Sequence, residues 1–149
     1  MDRDTLVAFV EAAAEVYSDR ALNSEGYADF AAVRNAFREE GGHWKSGSVY
    51  LWIVAAGDII FFHATEPFRE GRPTDLTRTD INGVRFAKEL IEGARRDGQK
   101  FLEYYYDDPT IEGDEDTGSP KLGYAVAIPV FDTGQKAVIG SGVYLGAES

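Results

Sequence analysis

The feature that most constrains the fold is a change in hydrophobic spacing at Ser48. Before it, apolar residues recur every three or four positions in two stretches, which is the spacing of amphipathic helices. After it, apolar residues alternate in short runs separated by turn residues, as in strands joined by hairpins. The sequence therefore predicts two helices followed by a mainly antiparallel sheet. The helical positions are Leu6, Phe9, Val10, Ala13 and Tyr17, then Tyr27, Phe30, Val33 and Phe37.

The two N-terminal helices have recognisable start and stop signals. The first begins near Asp4, whose carboxylate can cap it, and extends to about Asp19. The second begins near Asn23-Ser24 and ends at Gly41-Gly42, since glycine commonly terminates a helix. We expect both helices to form one core layer on one face of the sheet. The residues that the first helix should bury are Phe9, Val10 and Tyr17.

Five strands are predicted after residue 48, with one helix between the second and the third. The strands span about residues 49–55, 59–64, 99–106, 121–131 and 137–145. Gly57-Asp58 suits a tight hairpin between the first two strands, and residues 132–134 provide a similar turn before the last. The intervening helix is predicted to begin at Asp80 and to end at Gly98. Its apolar positions are Val84, Ala87, Leu90, Ile91 and Ala94.

Charge and composition disfavour several classes of protein. The chain has 149 residues, with 15 basic and 26 acidic side chains and a net charge of −11. Such a surface repels phosphate backbones and anionic lipid headgroups, which argues against nucleic-acid and peripheral membrane roles. The absence of cysteine excludes disulfides and thiol catalysis. The length predicts a single domain over residues 1–149, and no apolar run approaches the roughly 20 residues that span a bilayer.

Five aromatic side chains with polar tips are predicted to share one surface of the sheet. Because side chains alternate along a strand, Tyr50 and Trp52 share a face, as do Tyr104 and Tyr106. The first hairpin is expected to place His63 across from Tyr50. Such rings line small-molecule pockets, since they supply apolar walls and oriented polar groups. An ordinary core, with tyrosine hydroxyls reaching solvent at the sheet edge, explains these residues equally well.

Lys121 stands out because it begins an apolar strand in an acidic chain. It could pair with a ligand carboxylate as a point charge, although a lysine at a strand edge usually faces solvent. Tyr124 lies three positions further on, so the two reach one pocket only if a bulge interrupts the strand. Both residues are candidate ligand contacts.

Catalytic and metal motifs are not found in the sequence. The chain lacks a Gly-x-Ser-x-Gly elbow and a phosphate-binding glycine loop, and Gly140–Gly142 instead permits close packing within a strand. His63 and His43 are far apart in sequence, which argues against zinc. The acidic residues between 107 and 116 lack the ligand spacing of an EF-hand and predict a solvated loop. We therefore expect neither a metal nor a cofactor.

In order and spacing, these segments resemble the single-Cache family of extracytoplasmic sensor domains. The family pattern has a Tyr-x-aromatic strand, a His at the end of the second strand, and an Asp-x-x-Gly helix start. It continues with a Tyr-rich strand, Lys-x-x-Tyr and Gly-x-Gly-x-Tyr. The chain departs from the pattern at Ala64, where proline is usual. The matching residues are Tyr50 and Trp52, His63, Gly71, Asp80 to Gly83, Tyr104 to Tyr106, Lys121 to Tyr124, and Gly140 to Tyr144.

The resemblance implies a PAS-like α+β fold. A five-stranded antiparallel sheet would carry a long N-terminal helix packed on one face and a ligand pocket on the other. The implied function is that of a sensor module, not an enzyme, in a bacterial signal-transduction or chemoreceptor system. Its ligand would be a small organic anion such as a C2–C4 carboxylate. The candidate ligand-binding residues are Tyr50, Trp52, His63, Tyr104, Tyr106, Lys121 and Tyr124.

Several alternatives stay open on the sequence alone. The chain could be an interaction or dimerisation module with a vestigial pocket, a free-standing periplasmic binding protein, or a small enzyme with an unrecognised carboxylate pair. A homodimer through the N-terminal helix is a further expected assembly. The first residues lack the basic-then-apolar layout of a signal peptide. A periplasmic location therefore needs a signal or transmembrane segment that this chain does not contain.

Overall fold

The computed structural model describes residues 2–23, 27–128 and 136–145, which form three α-helices and five β-strands. None of these helices has the length and apolar character that a membrane-spanning segment requires. The helices are α1 (Arg3–Asn23), α2 (Tyr27–Arg38) and α3 (Phe86–Asp97). The strands are β1 (Trp52–Val54), β2 (Ile60–His63), β3 (Gln99–Tyr106), β4 (Ser119–Ile128) and β5 (Ala137–Tyr144).

All five strands pair antiparallel in one sheet, in the order β2-β1-β5-β4-β3. The long α1 packs on β4 and β5, and α2 packs against α1. The predicted five-stranded antiparallel sheet with a long N-terminal helix on one face is confirmed. The predicted turn at 132–134, and residues 129–131 of the predicted fourth strand, lie outside the described residues.

One face of α1 forms a large part of the core. Leu6, Val10 and Ala13 are completely buried, and their spacing follows the turns of the helix. Tyr17 continues this face and contacts the ring of Phe61 at 5.8 Å between centroids. The expected burial of Val10 and Tyr17 is confirmed. Phe9, which was also expected to be buried, is only partly buried beside Trp44 at the rim of the layer.

The ends of the first two helices differ from the predicted ones. The backbone N–H of Thr5 donates to the Asp2 carboxylate at 2.8 Å, so Asp2 caps α1 and the assignment of Asp4 was wrong. α1 continues to Asn23, and α2 ends at Arg38, before the predicted glycine pair. Outside the description lie residues 24–26 and the side chains of residues 19–30, which include the predicted core residues Tyr27 and Phe30.

The hairpin between β1 and β2 turns at Gly57-Asp58, as predicted. Gly57 and Asp58 have φ angles of 78° and 61°, which a tight hairpin turn requires and which these residue types tolerate. His63 pairs with Trp52, and the predicted pairing of His63 with Tyr50 was wrong. Counting the same number of residues away from Gly57-Asp58 on each strand leads to Trp52 on β1 and His63 on β2. The rings of Tyr50 and His63 still lie close, with centroids 5.5 Å apart.

α3 packs on the sheet face opposite α1, against β3 and β4, so the helices are divided between the two faces. It begins at Phe86 and not at Asp80. The Asp80 carboxylate instead accepts the N–H groups of Asn82 and Val84, each at 2.9 Å, and closes a turn ahead of the helix. The predicted C-terminus is confirmed, because Gly98 adopts the left-handed conformation with φ of 89°.

The packing of α1 makes a testable prediction with a control on the same helix. Val10 is fully buried, whereas Val16 is 37% exposed. Val10→Ala should lower the free energy of unfolding by about 1–3 kcal/mol, because it leaves a cavity under the helix. Val16→Ala should change it by about 0.5 kcal/mol or less. Urea unfolding measures both, and equal effects would show that α1 does not pack on the sheet in solution.

Candidate ligand-binding site

A cavity of about 180 Å³ lies between α3 and the sheet face that α1 leaves uncovered. Strands β1 to β4 form its floor, and the segment between β2 and α3 forms its outer wall. Alternation along the strands brings the predicted polar-tipped aromatics to this one face. Of the seven candidate residues, six line the cavity: Tyr50, Trp52, His63, Tyr104, Tyr106 and Lys121.

Tyr124 is the candidate that the structure does not bring to the cavity. β4 pairs without a bulge along its length, so a residue three positions from Lys121 faces the other side of the sheet. There the Tyr124 ring packs on Phe101, and its hydroxyl donates to Glu11 of α1 at 3.0 Å. Tyr124 therefore connects β4 to α1 and does not belong to the candidate site.

Glycines in β4 and β5 shape the floor of the cavity. A methyl group on Gly140 would collide with the ring of Trp52, and one on Gly142 would collide with the stem of Lys121. Both large side chains thus lie flat against the backbone of β5. The predicted role of these glycines in close packing is confirmed.

Lys121 is buried at the centre of this floor, with 2% of its surface exposed. Its Nζ donates to the hydroxyl of Tyr50 at 3.0 Å. It also lies 4.4 Å from the centroid of the Tyr50 ring, 5.0 Å from that of Tyr144 and 5.2 Å from that of Tyr106. No carboxylate among the described residues is within ion-pair distance of it. The ammonium group is therefore held by π faces and one hydroxyl, without a counter-ion.

The burial of Lys121 differs from the solvent-facing position that is usual for a lysine at a strand edge. β4 lies between β3 and β5, so Lys121 is on an inner strand, and the cavity-side rings cover it. Burial lowers the pKa of Lys121 to about 7, although the negative charges of Glu66 and Asp108 oppose this lowering. The protein thus holds a cation whose charged form is destabilised until a negative group approaches.

His63 is held in one tautomer by its neighbours. The backbone N–H of Glu66 donates to Nδ1 at 3.0 Å, so Nδ1 carries no proton, and Nε2 lies 3.1 Å from the Glu66 carboxylate. Burial lowers the pKa of His63 to about 4, with the charge of Glu66 acting in the opposite direction. The ring is therefore neutral at physiological pH and uses both nitrogens within the protein.

Glu66 links the cavity wall to the floor. The hydroxyl of Tyr106 donates to its carboxylate at 2.6 Å, and Nε of Arg69 lies 3.2 Å from the same oxygen. Burial by itself would raise the pKa of Glu66. The hydrogen bond from Tyr106 and the neighbouring His63 and Arg69 lower it below its usual value. The carboxylate is thus ionised, and it orients Tyr106 and His63 together.

Three arginines that the sequence analysis did not identify also line the cavity: Arg69, Arg72 and Arg78. Arg78 donates to the hydroxyl of Tyr106 at 3.4 Å, and its guanidinium lies over the rings of Phe86 and Tyr106 at 5.3 and 5.1 Å. All three come from the irregular segment between β2 and α3. Arginines in such a segment have no periodicity that marks the face they occupy, so the sequence contained no signal for them.

The acidic loop after β3 is more ordered than the solvated loop that was predicted. Asp108 is 1% exposed, and its N–H donates to the carboxylate of Asp114, which Ser119 also contacts. Oxygens of Asp107, Asp114 and Glu115 lie within 4.8 Å of one another, a spacing that could hold a cation. Acidic groups with this spacing are common without a bound ion, so no metal is assigned here.

The glycine floor makes a prediction about Trp52. Gly140→Ala should lower the free energy of unfolding by roughly 1–3 kcal/mol, because the added methyl group pushes the indole off the sheet. The chain has two tryptophans. A Trp44→Phe background therefore isolates the fluorescence of Trp52, which should shift in wavelength on the Gly140→Ala change. Unchanged emission and stability would contradict the flat packing of this ring.

The buried ammonium makes a prediction about pH. Between pH 7 and about 10, Lys121 keeps its proton in the unfolded chain but releases it in the folded protein. The contribution of Lys121 to the free energy of unfolding therefore becomes more favourable as the pH rises. Lys121→Met should therefore stabilise the unliganded protein by about 1–3 kcal/mol near pH 6, and this gain should shrink as the pH rises. Chemical unfolding measures it, with Lys136→Met at an exposed site as the control. If Lys121→Met instead destabilised the protein at pH 6, the ammonium group of Lys121 would not be buried without a counter-ion.

Comparisons with known proteins agree with this architecture. The family model of the Cache domain matches residues 32–148. Among solved structures, a methyl-accepting chemotaxis protein from Vibrio parahaemolyticus is 22% identical with a TM-score of 0.71, over 96% of this chain and 88% of that one. A periplasmic sensor domain of a chemotaxis protein is 26% identical, also with a TM-score of 0.71, over 96% and 94%.

A third structure was described for carboxylic acid recognition by a Cache chemosensory domain. It is 20% identical with a TM-score of 0.70, over 95% of this chain and 92% of that one. A search of curated proteins gave no match. The fold is thus shared along nearly the whole chain with sensor domains of this type. Because the family model spans most of the sequence, the chain belongs to the Cache domain family.

Proposed function

We propose that this chain is the ligand-binding sensor module of a bacterial signal-transduction or chemoreceptor system, and that it binds a small organic anion such as a C2–C4 carboxylate. The observation that carries the proposal is the buried Lys121 ammonium without a counter-ion, on the floor of a cavity. A bound carboxylate would supply the missing charge. Charge-assisted hydrogen bonds of this kind contribute roughly 1.5–3 kcal/mol, or about ten- to a hundredfold in affinity.

Some polar groups around Lys121 already have hydrogen-bond partners within the protein, and others are free to bind a ligand. The hydroxyl of Tyr106 is bound to Glu66, and both ring nitrogens of His63 are used within the protein. The hydroxyl of Tyr104 has no hydrogen-bond partner within the described structure, although Tyr104 is 5% exposed and lines the cavity. We therefore assign Lys121 and Tyr104 as donors to the ligand. His63 and Trp52 act as walls.

The sheet offers a route from the cavity to α1. β4 carries Lys121 on the cavity face and Tyr124 on the other, where Tyr124 binds Glu11 of α1. Ser141 of β5 donates to the backbone carbonyl of Tyr50 at 2.6 Å, which ties the cavity wall to the same pair of strands. A ligand that moves Lys121 or Tyr50 would thus shift the strands under α1.

The wider setting of the module is also part of the proposal. The similarity to a periplasmic sensor domain supports a location outside the cytoplasm. The packing of α1 on β4 and β5 supports one ligand-binding domain over residues 1–149. A homodimer through the N-terminal helix stays a prediction. Sensor domains among the similar structures support binding and not catalysis.

The direct test is titration calorimetry with acetate, propionate, lactate and pyruvate. Wild type should bind at least one of them, and saturation at about 100 times the dissociation constant should add roughly 2.7 kcal/mol of stability. Lys121→Met should lose most of that affinity while the protein remains folded. If no organic anion binds wild type, an interaction module with a vestigial pocket is the better description.

The same titrations predict a pH dependence. The ligand requires the charged form of Lys121, whose pKa is about 7 in the free protein. Affinity should therefore be nearly constant below pH 6 and should fall about tenfold per pH unit above pH 7. Calorimetry between pH 6 and 9 with acetate, which stays ionised throughout, measures this slope. A flat profile would exclude Lys121 as the group that binds the carboxylate.

A further inference from the structure

The cavity contains more positive charge than one carboxylate can neutralise. Lys121 lies on its floor, and Arg72 and Arg78 lie in its outer wall. In the residues that the structure describes, none of the three has a carboxylate within ion-pair distance, whereas Arg69 pairs with Glu66. Although the chain has 26 acidic and only 15 basic side chains, three cations without an ion pair thus meet around this one cavity.

Two of these cations contact the same ring. Nζ of Lys121 lies 5.2 Å from the centroid of the Tyr106 ring, and the guanidinium carbon of Arg78 lies 5.1 Å from it. The two charges are therefore separated by no more than about 10 Å. With two charge-assisted hydrogen bonds of about 2.8 Å each, a ligand that bridges both cations can be no longer than two carboxylates joined by one or two methylene groups.

Contacts within the protein already order the side chain of Arg78 for binding a carboxylate. Its guanidinium is held against Phe86 and Tyr106 and donates one N–H to the Tyr106 hydroxyl. Because the planar group is already ordered, little side-chain entropy is lost when a carboxylate binds to its free edge. Arg72 is more exposed and adds positive potential at the entrance.

We propose that the cavity selects a dicarboxylate of three or four carbons, with one carboxylate on Lys121 and the other on Arg78. This inference rests on the proposed function and specifies its ligand class. The rival ligand is an amino acid, because Asp75 also lines the cavity and could receive an ammonium group. The backbone N–H and the hydroxyl of Thr77 already donate to one oxygen of that carboxylate. One oxygen of the Asp75 carboxylate is therefore already hydrogen-bonded, which favours a dicarboxylate over an amino acid as the ligand.

A set of three ligands with the same four carbons tests the inference. Butyrate has one carboxylate, succinate has two, and 2-aminobutyrate adds an ammonium group to butyrate. By calorimetry, wild type should bind succinate at least about tenfold more tightly than butyrate. It should bind 2-aminobutyrate no better than butyrate.

Charge-neutral variants then locate the second carboxylate. Arg78→Gln should weaken succinate binding about tenfold or more and leave butyrate binding unchanged, whereas Lys121→Met should weaken both. Arg96→Gln is the matched control, because Arg96 lies on the exposed surface of α3 beside Asp97 and its replacement changes the net charge equally. It should alter neither affinity. Thermal unfolding of each variant verifies that it is folded.

The outcomes separate the inference from the proposed function. Equal affinities for succinate and butyrate, or an Arg78→Gln variant that weakens both equally, would overturn the inference and leave anion binding intact. Preference for 2-aminobutyrate would replace the dicarboxylate by an amino acid. If none of the three ligands binds wild type, the inference fails; the proposed function fails with it only if acetate, propionate, lactate and pyruvate do not bind either.

Discussion

The pairing of β4 with β5 is the constraint on which the rest of the structure depends. Eight consecutive residue pairs join the two strands, from Lys121 and Tyr144 to Ile128 and Ala137. Because side chains alternate, this ribbon has two unlike faces. One face carries bulky side chains against α1, and the other carries glycines in β5 on which Trp52 and Lys121 lie. The core and the cavity are therefore two sides of the same strands.

Burial of Lys121 on this ribbon explains both how the site could bind an anion and why the site lowers the stability of the unliganded protein. An ammonium group without a counter-ion is expensive to remove from water, and four tyrosine rings offset only part of that free energy. A hydrophobic side chain would be more stable at this position. A lysine there is reasonable if the remaining free energy is recovered when an anion binds, which is how a binding site trades stability for affinity.

Alternation and turn chemistry predicted much of the fold and of the candidate site from sequence. Tyr50, Trp52, Tyr104 and Tyr106 reach one cavity because the period of two along a strand is strict. The same rule already implied that Tyr124 faces away from Lys121, and the structure has no bulge in β4 to change that. The pairing of His63 and the cap of α1 were predicted wrongly. Strand register and helix ends depend on contacts that local patterns specify only within a few residues.

The sequence by itself determined the order of helices and strands, the turn at Gly57-Asp58 and the face on which the aromatic residues lie. These follow from local periodicity and backbone preference, which act within a few residues. Only the tertiary structure decided that Lys121 is buried without a counter-ion and that Arg78 lies beside the same tyrosine ring. Burial and ion pairing depend on which segments meet in space, and the position of Arg78 depends on the contacts of its irregular segment with Phe86 of α3 and Tyr106 of β3.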